Sequence, residues 1–289
     1  MMLKKRDSLK IIKSAKKMQS LSVSIKKSRK KKISFVPTMG ALHDGHLSLI
    51  KKAKKTGEVV IVSIFINPTQ FSEKKDLDNY PKSIKEDTQK LRALNVDYLF
   101  LPNVNEIYNP AFQTKVVVGE FQKHLCGLYR KNHFDGVTTI VLKLFNIVAP
   151  DIVVFGKKDL QQFIIIRQMV KELNINIKLI CHKTIREKDG LAVSSRNKHL
   201  SPQQRGLAIE IYQGLKLANN LFKNSKNISS KRIIQLVRTF YKKSGITKIE
   251  YIEIMNANQM IYPKIPSRKD FIAVAVKIGS TRLIDNLEF

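Results

Sequence analysis

Strand and helix alternate along this chain up to about residue 183. That alternation predicts an α/β fold: a Rossmann-like open parallel sheet with helices on both faces, followed by a smaller C-terminal α+β domain. Three observations carry the prediction. Short β-branched apolar runs, such as EVVIVSIFI at 58–66 and DIVVFG at 151–156, suit parallel strands covered on both sides. Longer segments of helical period separate them. Beyond about 183 the rhythm changes to two helices followed by strands.

Taken in order, a lysine-rich amphipathic helix is expected near 7–25, then a short buried strand, ISFV at 33–36, running into a glycine turn. A helix follows from Asp44 to about Thr56, and 58–66 is the next strand. Ser83-Ile84-Lys85-Glu86 has the capping-box pattern before a helix reaching about Leu94. VDYLFL at 96–101 is another strand, and 103–135 reads as mainly loops. VTTIVLKLFNIV (137–148) predicts a buried helix, 151–156 a strand, 158–173 a helix and INIKLICH (175–182) a strand. Ser201, Pro202 and Gln204 supply the cap, the first-turn proline and the capping-box partner for a helix over 201–222. A second helix is expected at 230–243, with strands at 249–255 and 270–279. The expected domains are 1–183 and 184–289.

The 289 residues are 43% apolar, enough for a packed core. No window holds 18 apolar residues, so no membrane partner is expected. The first 32 residues are too lysine-punctuated for the apolar region of a secretory signal. The two cysteines, Cys126 and Cys181, lie far apart in sequence, which argues against a disulfide framework and suits a reducing cytoplasm. The Asn227-Ile228-Ser229 sequon carries no weight in such a chain. The formal charge of +30 admits nucleic-acid binding, because clustered cations release counterions from phosphates. Lysine predominates over arginine, and Ile and Asn are abundant. That pattern favours AT-rich codons drifting into exposed positions, and no specific nucleic-acid partner is expected. The run KKSRKKK (26–32) suits a nuclear signal or an RNA patch, but reads better as an exposed link between the first helix and the next strand.

The chemistry concentrates at PTMGALHDGH (37–46). A strand ends, a glycine turn follows and a helix begins, which is where open α/β sheets bind ligands. A helix N-terminus presents unpaired N–H groups and the positive end of the helix dipole to phosphate. His43 and His46, one helical turn apart, can point at the same anion and stabilise charge growing on it. A histidine pair at this spacing also suits zinc, but zinc usually needs a third protein ligand, and His124, His133, His182 and His199 form no obvious partner motif.

PTMGALHDGH resembles the HIGH-type signature of the nucleotidyltransferase superfamily, in the variant seen in the pantoate–β-alanine ligase family. SIFINPTQF (63–71), YPKSIKEDTQKL (80–91), HFDGVTTIVLKLFNIVAPDIVVFGKKDLQQ (133–162), IREKDGLAVSSRNKHLS (185–201) and STRLIDN (280–286) are similar to further family segments in the same order. The resemblance runs from about 33 to 286, weakest over 205–270, and ordered motifs are more specific than one short pattern. It implies ATP-dependent joining of pantoate and β-alanine through an acyl adenylate, with release of pyrophosphate and then AMP. It also implies a homodimer. The N-terminal domain would bind ATP and pantoate, and the C-terminal domain would close over them.

By this resemblance Met39, Gly40, Ala41, Leu42, His43, Asp44, Gly45 and His46 form an ATP-binding stretch, with His46 at the position of a proton donor. Gln70 and Gln162 match pantoate-binding glutamines, whose amides can donate to a carboxylate without carrying charge. Gln70 also matches a β-alanine contact, and Asn67 shares its loop. Gly156, Lys157, Lys158 and Asp159 follow a strand, with Lys158 at the position of the lysine that neutralises ATP phosphate; Lys157 stands where relatives often carry Glu. Ile185 matches a backbone contact to adenine. Val193, where Leu is common, precedes Ser194, Ser195 and Arg196, which would grip the outer phosphates. A forked arginine contact there resists replacement by lysine. The expected catalytic set is therefore His43, His46 and Lys158. Magnesium is implied by the ATP chemistry, and Asp87 is the candidate ligand. Another nucleotidyltransferase would share the phosphate site, but the glutamine-bearing NPTQF and KDLQQ loops favour a small polar acid. A nucleic-acid binder predicts basic residues interleaved with aromatics, and the sequence shows no such arrangement.

Overall fold

The computed structural model describes residues 9–72, 74–225 and 227–289. They form two compact units. The first gathers the chain up to Val118, Asn132–Lys157 and Ile165–His182; the second gathers Gly119–Lys131, Lys158–Ile164 and Lys183–Phe289. Two short inner segments thus belong with the C-terminal part of the chain.

The first unit contains a parallel sheet of six strands: β1 (Lys10–Ile12), β2 (Ile33–Thr38), β3 (Val59–Ile64), β4 (Tyr98–Phe100), β5 (Ile152–Gly156) and β6 (Lys178–His182). Their order is β1-β4-β3-β2-β5-β6, with every neighbouring pair parallel. The order reverses between β2 and β5, so the carboxyl ends of those strands flank the switch-point crevice. The connecting helices are α1 (Ala15–Arg29), α2 (Asp44–Lys54), the short α3 (Lys74–Asp78), α4 (Ile84–Ala93), α5 (Val104–Ile107), then, past the short α6 (Cys126–Tyr129) of the second unit, α7 (His133–Val148). Next, α8 (Leu160–Glu172) starts in the second unit and ends in the first.

Val36, Val60, Val62, Ile64, Leu99 and Val154 form one buried cluster with Leu42, Ile50 and Ala53 and with Leu91 of α4. The alternate strand positions Ile33, Phe35, Ile61 and Val153 are also fully buried. Burial on both faces is why these strands read as continuous apolar runs. On the second face α1 and α7 pack together and against β2.

Four details differ from the sequence expectation. The helix expected near 7–25 runs instead from Ala15 to Arg29, after Ser14, whose side chain accepts from Lys17 N. Residues 7 and 8 lie outside the described residues. Ahead of it Lys10–Ile12 pairs with Tyr98–Phe100 as β1, a contact no local pattern announces. The basic run 26–32 is therefore half helix and half link. Lys30 takes the left-handed C-cap conformation (φ 47°), and Lys26 pairs with Asp151 at 3.0 Å; the side chains of Ser28 and Arg29 are outside the described set. Ser83 occupies the N-cap position of α4 but makes no side-chain cap bond.

The second unit carries α9 (Pro202–Asn224), α10 (Ser230–Lys243) and an antiparallel sheet of β7 (Lys248–Asn256), β8 (Asp270–Ile278) and β9 (Thr281–Glu288), in that order. The expected capping box is present: Gln204 N donates to Ser201 Oγ at 3.2 Å and Ser201 N donates to Gln204 Oε1 at 3.1 Å. Ile211 and Leu215 of α9 and Ile233, Val237 and Tyr241 of α10 form a core with Ile252, Ile272, Val274 and Val276 of the sheet. Neither Cys126 nor Cys181 is in a disulfide. Among the described residues no helix is long and apolar enough to cross a membrane.

Candidate active site

In the first unit the turn after β2 is built to a tight specification. Thr38 Oγ1 donates to Ser63 O at 2.7 Å and accepts from Gly40 N at 3.2 Å, so strand β3 anchors the turn. Gly40 sits at φ +85°, and a Cβ there would lie 3.0 Å from Ile64 Cγ2 and 3.2 Å from Asp87 Oδ2. Both the backbone conformation and the space call for glycine. From α4, Asp87 accepts Ala41 N at 2.8 Å on one oxygen and Leu42 N at 2.7 Å on the other. One turn along, Lys90 Nζ donates to Leu42 O at 2.6 Å. Helix α4 thus grips both polarities of the turn's backbone.

The Asp87 carboxylate is fully buried and both its oxygens accept backbone N–H groups, so it braces the glycine turn. Among the described residues no three His, Cys, Asp or Glu side chains are grouped to hold a metal ion.

His43 is the N-cap of α2 and His46 stands at its third position, with ring centroids 4.0 Å apart and planes tilted by 35°. His43 N donates to His46 Nδ1 at 3.4 Å, and with Nδ1 accepting, a neutral His46 carries its proton on Nε2. Both rings are half-buried, whereas Asp44 is exposed. Gly45 makes room for the pair: a Cβ there would come within 2.8 Å of His43 Cε1.

The NPTQF loop is held from behind by α7. Asn67 is buried, its Nδ2 donating to Gln70 Oε1 and to Gly136 O at 3.0 Å each. Its Oδ1 accepts from Thr69 Oγ1 at 3.0 Å and from Tyr108 Oη at 2.8 Å. Burial raises the Tyr108 hydroxyl, which keeps it a donor at neutral pH. The Asn67 side chain therefore ties Gln70 to the loop and the loop to α7. Gln70 Nε2 reaches Met39 Sδ at 3.1 Å, and Gln70 O is 2.8 Å from His133 Nδ1. Met39, Gly40–His46, Asn67 and Gln70 are thus joined by contacts within this unit. Gly156 ends β5 and Lys157 follows it in the same unit.

The second unit assembles the remaining candidates. Lys158, Asp159, Ser194 and Arg196 line one cavity together with Arg130, Arg282 and Asp285. Four cations and two carboxylates give it a positive balance suited to an anion. Residues 185–193 form a hairpin, in which Val193 N donates to Ile185 O at 3.0 Å and Glu187 N to Leu191 O at 2.9 Å. Ser194 then caps a 3-10 turn, Ser195–His199, by accepting Arg196 N at 3.3 Å. Gln161 is buried and fastens the 119–131 segment, taking Cys126 N at 3.0 Å and giving to His124 O at 2.6 Å. Gln162, its neighbour, is half-buried on the first turn of α8.

Arg130, Arg282 and Asp285 were not singled out from the sequence, although STRLIDN already marked the segment holding two of them. Arg282 Nε donates to Glu250 Oε2 at 2.8 Å. Asp285 accepts a forked pair from Arg186, at 2.6 and 3.0 Å, and burial raises its carboxyl above the ordinary value even with that partner.

A parallel sheet with a switch point, a glycine turn entering a helix and paired histidines at its N-terminus together define a nucleotide-binding α/β enzyme of the nucleotidyltransferase kind. The family model for pantoate-beta-alanine ligase matches residues 10–288. The chain belongs to the pantoate–β-alanine ligase family. It is similar to the pantothenate synthetase of Sulfurihydrogenibium sp., 46% identical over 275 residues covering 94% of this chain and 97% of the relative. It is 44% identical to that of Thermotoga petrophila, over 96% and 99% of the two chains. Among solved structures, pantothenate synthetase from Thermus thermophilus superposes with a TM-score of 0.89 at 33% identity, covering 96% and 98%. The Francisella tularensis ligase, solved with β-γ ATP and β-alanine, gives 0.79 at 37% identity, covering 97% of each chain.

Proposed function

We propose that the site residues divide the work of ATP-dependent pantoate–β-alanine ligation as follows. A carboxylate is a poor electrophile, so the first task is to give it a leaving group. A pantoate carboxylate oxygen attacks the α-phosphorus of ATP, the bond to the bridging oxygen breaks, and pyrophosphate departs. The β-alanine amine then attacks the acyl carbon of the adenylate. The carbon–oxygen bond to AMP breaks, and the nitrogen loses a proton to give the amide.

The pairing of His43 and His46 at the N-terminus of α2, above a turn clamped by Asp87 and Lys90, carries this reading. Donor groups fixed where charge develops stabilise a transition state without reorganising. The Nε2 proton of His46 is suited to a phosphate oxygen. Gln70 and Gln162 would hold pantoate through neutral amides, with Gln70 also meeting β-alanine. Lys158, Ser194, Ser195 and Arg196 would neutralise the departing pyrophosphate, Asp159 would meet the ribose hydroxyls and the backbone at Ile185 the adenine. Gly156, Lys157 and Val193 would line the nucleotide.

Among the described residues no three His, Cys, Asp or Glu side chains are grouped to hold a metal ion. Magnesium would be held mainly by nucleotide phosphates and water, with Asp87 the candidate protein ligand. The protein would work as a homodimer in the cytoplasm.

The test is pyrophosphate and AMP formation by His46→Ala and Lys158→Ala. Both variants are expected to keep the wild-type circular dichroism and to lose at least about 100-fold in rate, the size associated with removing a fixed charge-stabilising donor. Wild-type turnover in both would overturn the site assignment.

A further inference from the structure

We propose that Asp285 and Asn286, adjacent on β9, are positioning residues that register Lys158 against the basic loop carrying Ser194 and Arg196. This rests on the adenylation reading above and adds to it the device that aligns two separate cationic pieces of the second unit.

Asn286 Nδ2 donates to the main-chain carbonyl of Lys158 at 2.9 Å. That carbonyl lies in a 3-10 turn, Lys157–Asp159, so the bond fixes the turn from which the lysine side chain projects. Asp285 holds the other piece. Its two oxygens take the Arg186 guanidinium as a fork, and the same guanidinium donates to Gly190 O at 3.1 Å and lies 3.7 Å over the Tyr212 ring. Arg186 pairs with Ala192 across the hairpin that leads into Ser194. The Asp285 carboxylate also accepts Asn286 N at 2.8 Å, which locks the two anchors to each other. One dipeptide of a regular strand therefore sets both the lysine turn and the hairpin. A forked arginine–carboxylate pair restricts geometry more than a single contact does. Misplacement of a catalytic cation by about 1 Å is enough to slow a reaction severely. Neither Asp285 nor Asn286 needs to touch a substrate to matter.

The experiment measures pantoate-dependent pyrophosphate release by wild type, Asn286→Ala, Lys158→Ala and the double variant, alongside thermal unfolding. Asn286→Ala is expected to lower kcat/KM for ATP on the order of tenfold while leaving KM for β-alanine unchanged. Adding it to Lys158→Ala should cost little more, because a residue that acts through Lys158 has nothing left to position. If Asn286→Ala does not fold, Asn286→Asp keeps the volume, removes the donor and is expected to show the same loss. Unchanged kinetics in the folded variant, or a full additive loss in the double variant, would overturn the proposal. Wild type that releases no pyrophosphate with pantoate would instead overturn the adenylation reading itself.

Discussion

A methyl group added at Gly45 would lie 2.8 Å from His43 Cε1 and 2.9 Å from its Nδ1, so the imidazole would have to turn away. Alanine is otherwise the better helix former, by about 1 kcal/mol. Gly45→Ala is thus expected to unfold at an equal or higher denaturant concentration, yet to turn over at least about tenfold more slowly, since each tenfold corresponds to 1.4 kcal/mol or so of barrier. Undiminished turnover would show that the His43 ring needs no such freedom. Asp87 is the opposite case. Asp87→Ala strands two buried N–H groups and should cost about 3 kcal/mol by urea unfolding. Asp87→Asn keeps one acceptor, and its residual activity should show a shifted magnesium requirement; a wild-type requirement would remove Asp87 as a ligand. The histidine pair at a helix N-terminus was legible from the motif, and Gln70 and Lys158 were marked by the family resemblance. The backbone contacts of Asp87 and Asn67 were not, because a carboxylate or amide in a motif looks the same whether or not it holds a turn or a helix. Only the distances from Asp87 to Ala41 and Leu42 and from Asn67 to Gly136 reveal them.

Among the elements, the 185–193 hairpin is clasped to α9 by Arg205, whose Nη2 reaches Glu187 at 2.6 Å and Asp189 at 2.7 Å. These groups are substantially exposed, so the pairs are worth at most about 1 kcal/mol. Arg205→Ala should therefore leave the melting temperature nearly unchanged but raise KM for ATP several-fold; an unchanged KM would mean the clasp has no part in nucleotide binding. Burial pushes the Asp189 carboxyl up, but the Leu191 N–H and Arg205 outweigh it and hold it below its ordinary 3.8. A depressed acid contributes stability above its unfolded value and loses it as pH falls through the lower folded value. The clasp should accordingly be indifferent to pH between about 5 and 9 and fail only in acid. Strands β2, β3 and β5 were legible because burial on both faces leaves an unbroken apolar run. Strand β1 was not, since its three residues are defined only by pairing with β4, and β9 was hidden because TRLIDNLE interleaves charged side chains that serve the cavity.

The whole molecule carries a net charge of +30. Like charges at this density oppose the compact state, and salt screens them within about 10 Å at 0.1 M. Raising the salt from about 0.01 to 0.2 M should lift the melting temperature by several degrees; a flat or falling curve would show that the lysines are already neutralised by their surroundings. The parallel sheet was readable from the short apolar runs and their alternation with helical segments; its strand order, and with it the switch point, was not. The sorting of residues into two units was less so: 119–131 joins the later residues through Gln161, a contact between positions far apart in sequence. Two-step ligation is tested by pyrophosphate release from ATP by purified protein, with pantoate alone and then with β-alanine added. Pantoate-dependent pyrophosphate, followed by AMP and pantothenate only once β-alanine is present, is the predicted result. Folded protein that releases no pyrophosphate in response to pantoate would contradict it.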